Sequence, residues 1–144
     1  ISSTFWTERI GPTAALKTIE IMKKRKTWET ITKIGTKIQN RWKQLADYSN
    51  LKIKINGIPS LTNFTFLGNK NLLYKTLITQ EMLKYNFLAS NAVYCCIKHN
   101  DIIVDKYFDK LEKIFKTIKA CEEGEDITKH LKSKISMKDF RRLN

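Results

Sequence analysis

No apolar run in this sequence approaches the roughly 18 residues that a membrane-spanning helix requires. No stretch joins a basic zone, an apolar core and a small-residue cleavage site in the manner of a signal peptide. The expectation is a cytoplasmic protein with no membrane partner. Cysteine is scarce and poorly spaced for chemistry: Cys95 and Cys96 are adjacent, and Cys121 stands alone. Three thiols without a C-x-x-C spacing give neither a disulfide framework nor a zinc site. The two histidines, His99 and His130, have no ligand spacing to each other or to a cysteine, so both read as surface or packing residues and no metal is expected. Nucleophile elbow, Walker loop and dinucleotide glycine fingerprint are all missing. The chain also opens without a methionine; the first is Met22.

What is present begins with charge. Lys and Arg total 27 against 14 Asp and Glu, a formal net charge of +13. Such an excess invites a polyanionic partner, but its distribution argues otherwise. Arginine occurs only at Arg9, Arg25, Arg41, Arg141 and Arg142, and the lysines are scattered among many Ile and Asn residues. Nucleic-acid sites concentrate arginine at base edges and set aromatics among basic residues on one surface. A nucleic-acid partner is therefore disfavoured. A stand-alone basic α+β module binding RNA or another polyanion stays open as the alternative. The 42% hydrophobic content and a length of 144 residues suit one folded domain with a real core.

Along the chain, hydrophobic spacing sets the elements. Ala15, Leu16, Ile19 and Met22 recur at helical steps, and Trp28, Ile31, Ile34 or Gly35, Ile38, Trp42 and Leu45 continue a second stripe. This reads as one long helix from Pro12 to Ala46–Tyr48, bent near residues 25–27, beyond the solvated cluster Lys23-Lys24-Arg25-Lys26. "LKIKING" and "SLTNFTFLG" alternate with period two, predicting an antiparallel strand pair with a turn signal at Asn56-Gly57 and a break at Pro59. Leu72, Leu73, Leu77, Ile78, Met82 and Leu83 form a second helical face that ends at Asn86. One or two short strands are expected around Val93, Tyr94 and Ile97. An amphipathic helix then runs from Asp101, its N-cap, to Cys121, with Gly124 as the stop. A short helix in "EDITKHLKSKIS" and a basic tail, "MKDFRRLN", close the chain. The fold class is α+β: a small antiparallel sheet packed against helices and preceded by the long helix.

Two stretches bear on chemistry. Lys70 sits on a Gly-Asn turn; a reactive amine needs burial or neighbouring cations to lower its pKa, and this exposed turn offers neither, so it reads as a loop lysine. The opening "ISSTFWTERIGP" places Ser2, Ser3 and Thr4 before a helix start. Free backbone N–H groups and the positive end of a helix dipole make such a corner suited to an anion, although capping and turn formation alone also account for the hydroxyls. Two starts are open: Gly11 as cap with Pro12 in the first helical position, or Thr7 as cap with Glu8 in the first turn.

"ISSTFWTERIGPTAALKTI" resembles a segment of the class III pyridoxal-phosphate-dependent aminotransferases, on the glutamate-1-semialdehyde aminomutase-like branch. Thr4 takes the place of the family's Thr, and Ala14, Ala15, Leu16 and Thr18 fall in the Ala-rich helix after it. "LKIKINGIPSLTNFTF", "NFLASNAVYCC", "DIIVDKYFDKLEKIFKTI" and "FRRLN" extend the likeness over essentially the whole chain. The resemblance implies the C-terminal portion of a fold-type I enzyme. Residues 1–10 would end the cofactor-binding large domain and form a dimer-interface segment; residues 11–144 would be the interdomain helix and small domain. It further implies a homodimer moving an amino group between amino and oxo substrates. Thr4, with Ser3 as a secondary contact, would hold the phosphate of the neighbouring subunit's pyridoxal 5'-phosphate. Phe5 and Trp6 would pack the interface, and Glu8 and Arg9 would approach the substrate or, as the simpler role, form a local ion pair. The family's Schiff-base lysine lies upstream of this Thr and has no counterpart here, so no catalytic residue is assigned and the chain alone is expected to be inactive.

Overall fold

A computed structural model of the chain describes residues 8–137. Its elements run α1 (Ile10–Arg25), α2 (Thr27–Tyr48), β1 (Ile53–Ile58), β2 (Leu61–Phe66), α3 (Asn71–Lys84), β3 (Ala92–Tyr94) and α4 (Asp101–Glu122), followed by a single 3-10 turn at Ile127–Lys129. The fold is α+β as the patterning requires, with four helices and one three-stranded antiparallel sheet of order β1-β2-β3 among the described residues.

The expected long helix is two helices. Lys26 takes a left-handed conformation (φ 47°, ψ 47°), ends α1 and begins α2. On a continuous helix Lys23 and Lys26, three residues apart, would face each other as like charges. The two halves then differ. α1 buries no residue, so its Leu16, Ile19 and Met22 stripe is real but uncovered. α2 buries Gly35, Ile38, Trp42 and Ala46 at three- and four-residue steps, as its periodicity demands.

The strands pair through a tighter hairpin than the Asn56-Gly57 signal indicates. Register runs from Ile53 opposite Phe66 to Ile58 opposite Leu61, leaving Pro59 and Ser60 as the turn. Gly57 stays inside β1 with φ 85°, where an added Cβ would stand 2.3 Å from the Leu61 carbonyl oxygen. Thr62, Phe64 and Phe66 face the core, whereas Leu61, Asn63 and Thr65 on the other face are not buried. The α4 cap also moves by one residue: the Asn100 side chain, rather than that of Asp101, accepts the Ile103 N–H at 3.0 Å. Gly124, at φ 119°, does follow the helix end.

The core forms where α2, α3 and α4 meet the inner face of the sheet. Trp42, Phe64, Phe115, Leu77, Ile78 and Met82 are fully buried. Phe64 sits edge-on to Trp42 at 4.8 Å, and Phe66 contacts Phe64, Tyr74 and Phe115 at 5.6, 5.1 and 5.5 Å between ring centroids. Edge-to-face rings at these separations add to area burial. α2 and α4 run in the same direction, tied by Lys37 to Asp101 at 2.7 Å and by Arg41 to Asp105. Gly35 brings α2 against the hairpin tip, where a Cβ would lie 1.8 Å from the Pro59 carbonyl oxygen. Glycine in a helix interior ordinarily costs stability relative to alanine, but backbone contact reverses that sign here. Gly35→Ala is expected to destabilise the fold by about 1–3 kcal/mol through overpacking, read as a lower urea midpoint at unchanged m-value; a stabilised variant would show that the hairpin tip yields freely.

Candidate functional site

The residues that the sequence assigns to a cofactor phosphate, Ser3 and Thr4, lie outside the described residues, as do Phe5, Trp6 and Thr7. The helix downstream of them is described, and its start differs from both expected ones. α1 begins at Ile10 behind Arg9, which makes no side-chain cap. The Glu8 carboxylate caps instead, accepting the Ile10 N–H at 2.7 Å and the Gly11 N–H at 3.1 Å. Pro12 has no N–H to offer, and Thr13 N–H already bonds to the Arg9 carbonyl at 3.0 Å. A helix start needs its first amides satisfied and favours negative charge there; Glu8 supplies both. The free amides expected at this corner are thus taken by the chain's own carboxylate. An anion near this end would rely on groups upstream of Glu8. The sequence hint was available, since Glu8 stands two residues before Ile10, but the adjacent Arg9 made a local ion pair the simpler reading.

An apolar cleft of about 310 Å³ lies between α2, β3 and the start of α4. Ile38, Val104 and Tyr107 form its floor, and Leu88, Tyr94 and His99 stand among its lining residues. Its polar groups are few. The buried Tyr107 hydroxyl accepts the indole N–H of Trp42 at 3.0 Å. Burial pushes this phenol above its ordinary pKa, the indole donor only partly opposing the rise, so it remains neutral. His99 Nδ1 faces the Cys96 amide at 3.4 Å. Burial, and then the neighbouring Cys96, raise the Cys95 thiol, which makes it a reluctant nucleophile. The cleft can hold an apolar group; it has no nucleophile–base pair to act on one. No group of three metal-ligating side chains occurs among the described residues.

The remaining sequence candidates are accounted for by structure. Lys70 donates to the Cys121 carbonyl at 3.2 Å and lies 3.8 Å from Glu122, so its charge meets the C-terminal end of α4, where cations are favoured. His130 pairs with Glu125 at 2.9 Å, and the two histidines share no site.

One end of the molecule is conspicuously apolar. The hairpin tip meets β3 there through the Cys95 N–H to Ser60 carbonyl bond at 2.9 Å, and meets α2 at Gly35. Directly opposed on the outer sheet face are Ile58, Leu61 and Tyr94, exposed by 65%, 46% and 75%. Ile97, Ile102 and Ile103 are exposed as well.

Over 106 residues, 70% of its length, the chain is 27% identical to a 3-aminobutyryl-CoA aminotransferase of Cloacimonas acidaminovorans (strain Evry). It carries an aminotransferase-like region. The match covers 26% of that relative, so the chain spans about a quarter of its length. No family model matches the chain, and no solved structure does. Nothing in these comparisons supports the RNA-binding alternative. No helix among the described residues is long and apolar enough to cross a membrane.

The Trp42–Tyr107 bond is the one polar link in the cleft floor, and it is buried. Tyr107→Phe leaves the indole N–H without its acceptor and is expected to cost about 1–3 kcal/mol. Guanidinium unfolding would measure it, with Tyr94→Phe on the exposed rim expected to change nothing.

Proposed function

We propose that this chain is the C-terminal part of a pyridoxal-phosphate-dependent aminotransferase or aminomutase, comprising the helical connection and the small domain of the enzyme. The 106-residue similarity to an aminotransferase carries this reading. The exposed apolar end and the uncovered α1 stripe agree with it, since a free-standing domain seldom leaves an extended apolar surface to water. In this reading the larger part of the enzyme holds the reacting centre and the assembly is a cytoplasmic homodimer. The specific branch is the one whose opening motif this chain resembles, with glutamate-1-semialdehyde aminomutase as its type.

The described residues do not by themselves form a cofactor site. Glu8 occupies the α1 amides, and no lysine lines the apolar cleft. When bound, pyridoxal 5'-phosphate supplies the electron sink for amino transfer. The contribution of this chain is positional: the Thr4 hydroxyl, with Ser3 beside it, donates to the phosphate of the partner subunit's cofactor. Phosphate dianions are held best by such donors in fixed geometry. Downstream in sequence, Glu8 closes the start of α1.

In the complete polypeptide, Thr4→Val is expected to weaken cofactor retention at least about tenfold, a loss of roughly 1.4 kcal/mol, followed by absorbance after dialysis. Unchanged retention and unchanged transamination of amino/oxo substrates, with 3-aminobutyryl-CoA among the first assayed, would sink the reading. This chain alone, mixed with cofactor and borohydride, is expected to retain no reduced adduct.

A further inference from the structure

We propose that the groove between α3, α4 and the segment following α4 is a binding site for a small organic phosphate, independent of the aminotransferase reading. The groove has a volume of about 350 Å³, within the size range of small-ligand sites. Four lysines line it, Lys84, Lys113, Lys129 and Lys132, against a single carboxylate, Glu81. That carboxylate is already committed. Lys84 donates to both its oxygens at 2.5 and 2.6 Å, and Gln80 donates at 2.7 Å. Burial pushes Glu81 upward, but these bonds and the nearby Lys132 charge hold it below its ordinary value. Lys113, Lys129 and Lys132 make no ion pair with any described residue.

The wall that brings two of these lysines to the groove is fixed. Gln80 donates to the His130 carbonyl at 2.8 Å and accepts the Lys132 N–H at 2.6 Å, clamping the backbone on both sides of Leu131. Leu131 packs against the core. Farther on, the Ser136 N–H bonds to the buried Thr76 hydroxyl at 2.8 Å. At its start, Asp126 accepts the Thr128 N–H and turns the chain back, and Glu125 takes up His130. Several ammonium groups converging on one concavity make its local potential positive and favour an anion there. The chemistry selects phosphate over carboxylate: no arginine is present for the planar bidentate contact that carboxylates favour, whereas lysines act as point charges that converge on a multiply charged phosphate. Leu77 and Ile114 in the floor, with Tyr85 and Thr117 in the lining, leave room for an organic group beside it.

The test titrates the purified chain with inorganic pyrophosphate by calorimetry and thermal shift at fixed ionic strength. Saturable one-to-one binding is expected. The double variant Lys113→Glu/Lys132→Glu should weaken it at least about tenfold, while Lys24→Glu on the remote helix α1 should leave it unchanged. The substituted positions are exposed, and circular dichroism spectra matching the parent chain would establish folding. Absence of binding at about 1 mM ligand, a threshold corresponding to roughly −4 kcal/mol, overturns the proposal. So does an equal loss in the Lys24 variant, which would reduce the effect to overall charge. Neither result bears on cofactor retention by the complete enzyme.

Discussion

The indole of Trp42 holds the molecule together. It is fully buried on α2, meets the ring of Phe64 on β2 edge-on, and donates its only proton to Tyr107 on α4. One side chain thus joins two helices and the sheet, with an apolar contact and a directional bond that fixes the relative rotation of the helices. A buried indole without an acceptor would be costly. The phenol supplies that acceptor and in turn forms part of the cleft floor. The parallel run of α2 and α4, their flanking ion pairs and the seat of the hairpin tip at Gly35 all follow from this arrangement.

The elements whose side chains alternate between core and solvent were plain in the sequence. Leu61 to Phe66 has period two because one sheet face is buried, and Ile38 and Trp42 follow a helical period because one side of α2 is, although the next buried step is Ala46 rather than the expected Leu45. Legibility failed where backbone conformation decided the outcome. Near Lys26 the sequence placed a bend in one continuous helix; the left-handed conformation that divides it into two is one lysine rarely favours, and nothing in its identity announced that. Gly57 was read as a turn because glycine permits one; it serves within the strand, where a positive φ and the Leu61 carbonyl beside it both exclude a Cβ. Asn100 and Asp101 are both good caps, and one residue of chain path chose between them.

The cofactor contacts assigned to Thr4 and Ser3 lie outside the described residues; they came through a family resemblance, and local spacing alone favoured capping. Glu8 shows why: a carboxylate near a helix start can be a substrate contact, an ion-pair partner or a cap, and only the positions of the amides distinguish them. The basic groove was similarly hidden. Lys84, Lys113, Lys129 and Lys132 come from three separate stretches, and in a lysine-rich chain no linear pattern marks those that converge.

The break at Lys26 has a mechanical consequence. α1 contains 16 residues, about 24 Å of rod attached at one end, so a swing of about 10° about that joint carries its tip about 4 Å. The tip is the helix start that the Glu8 carboxylate closes. Its position is therefore set by torsion at a single lysine, which works as a boom pivot, and whatever seats against the bare side of α1 acts as the stay that keeps the boom in line.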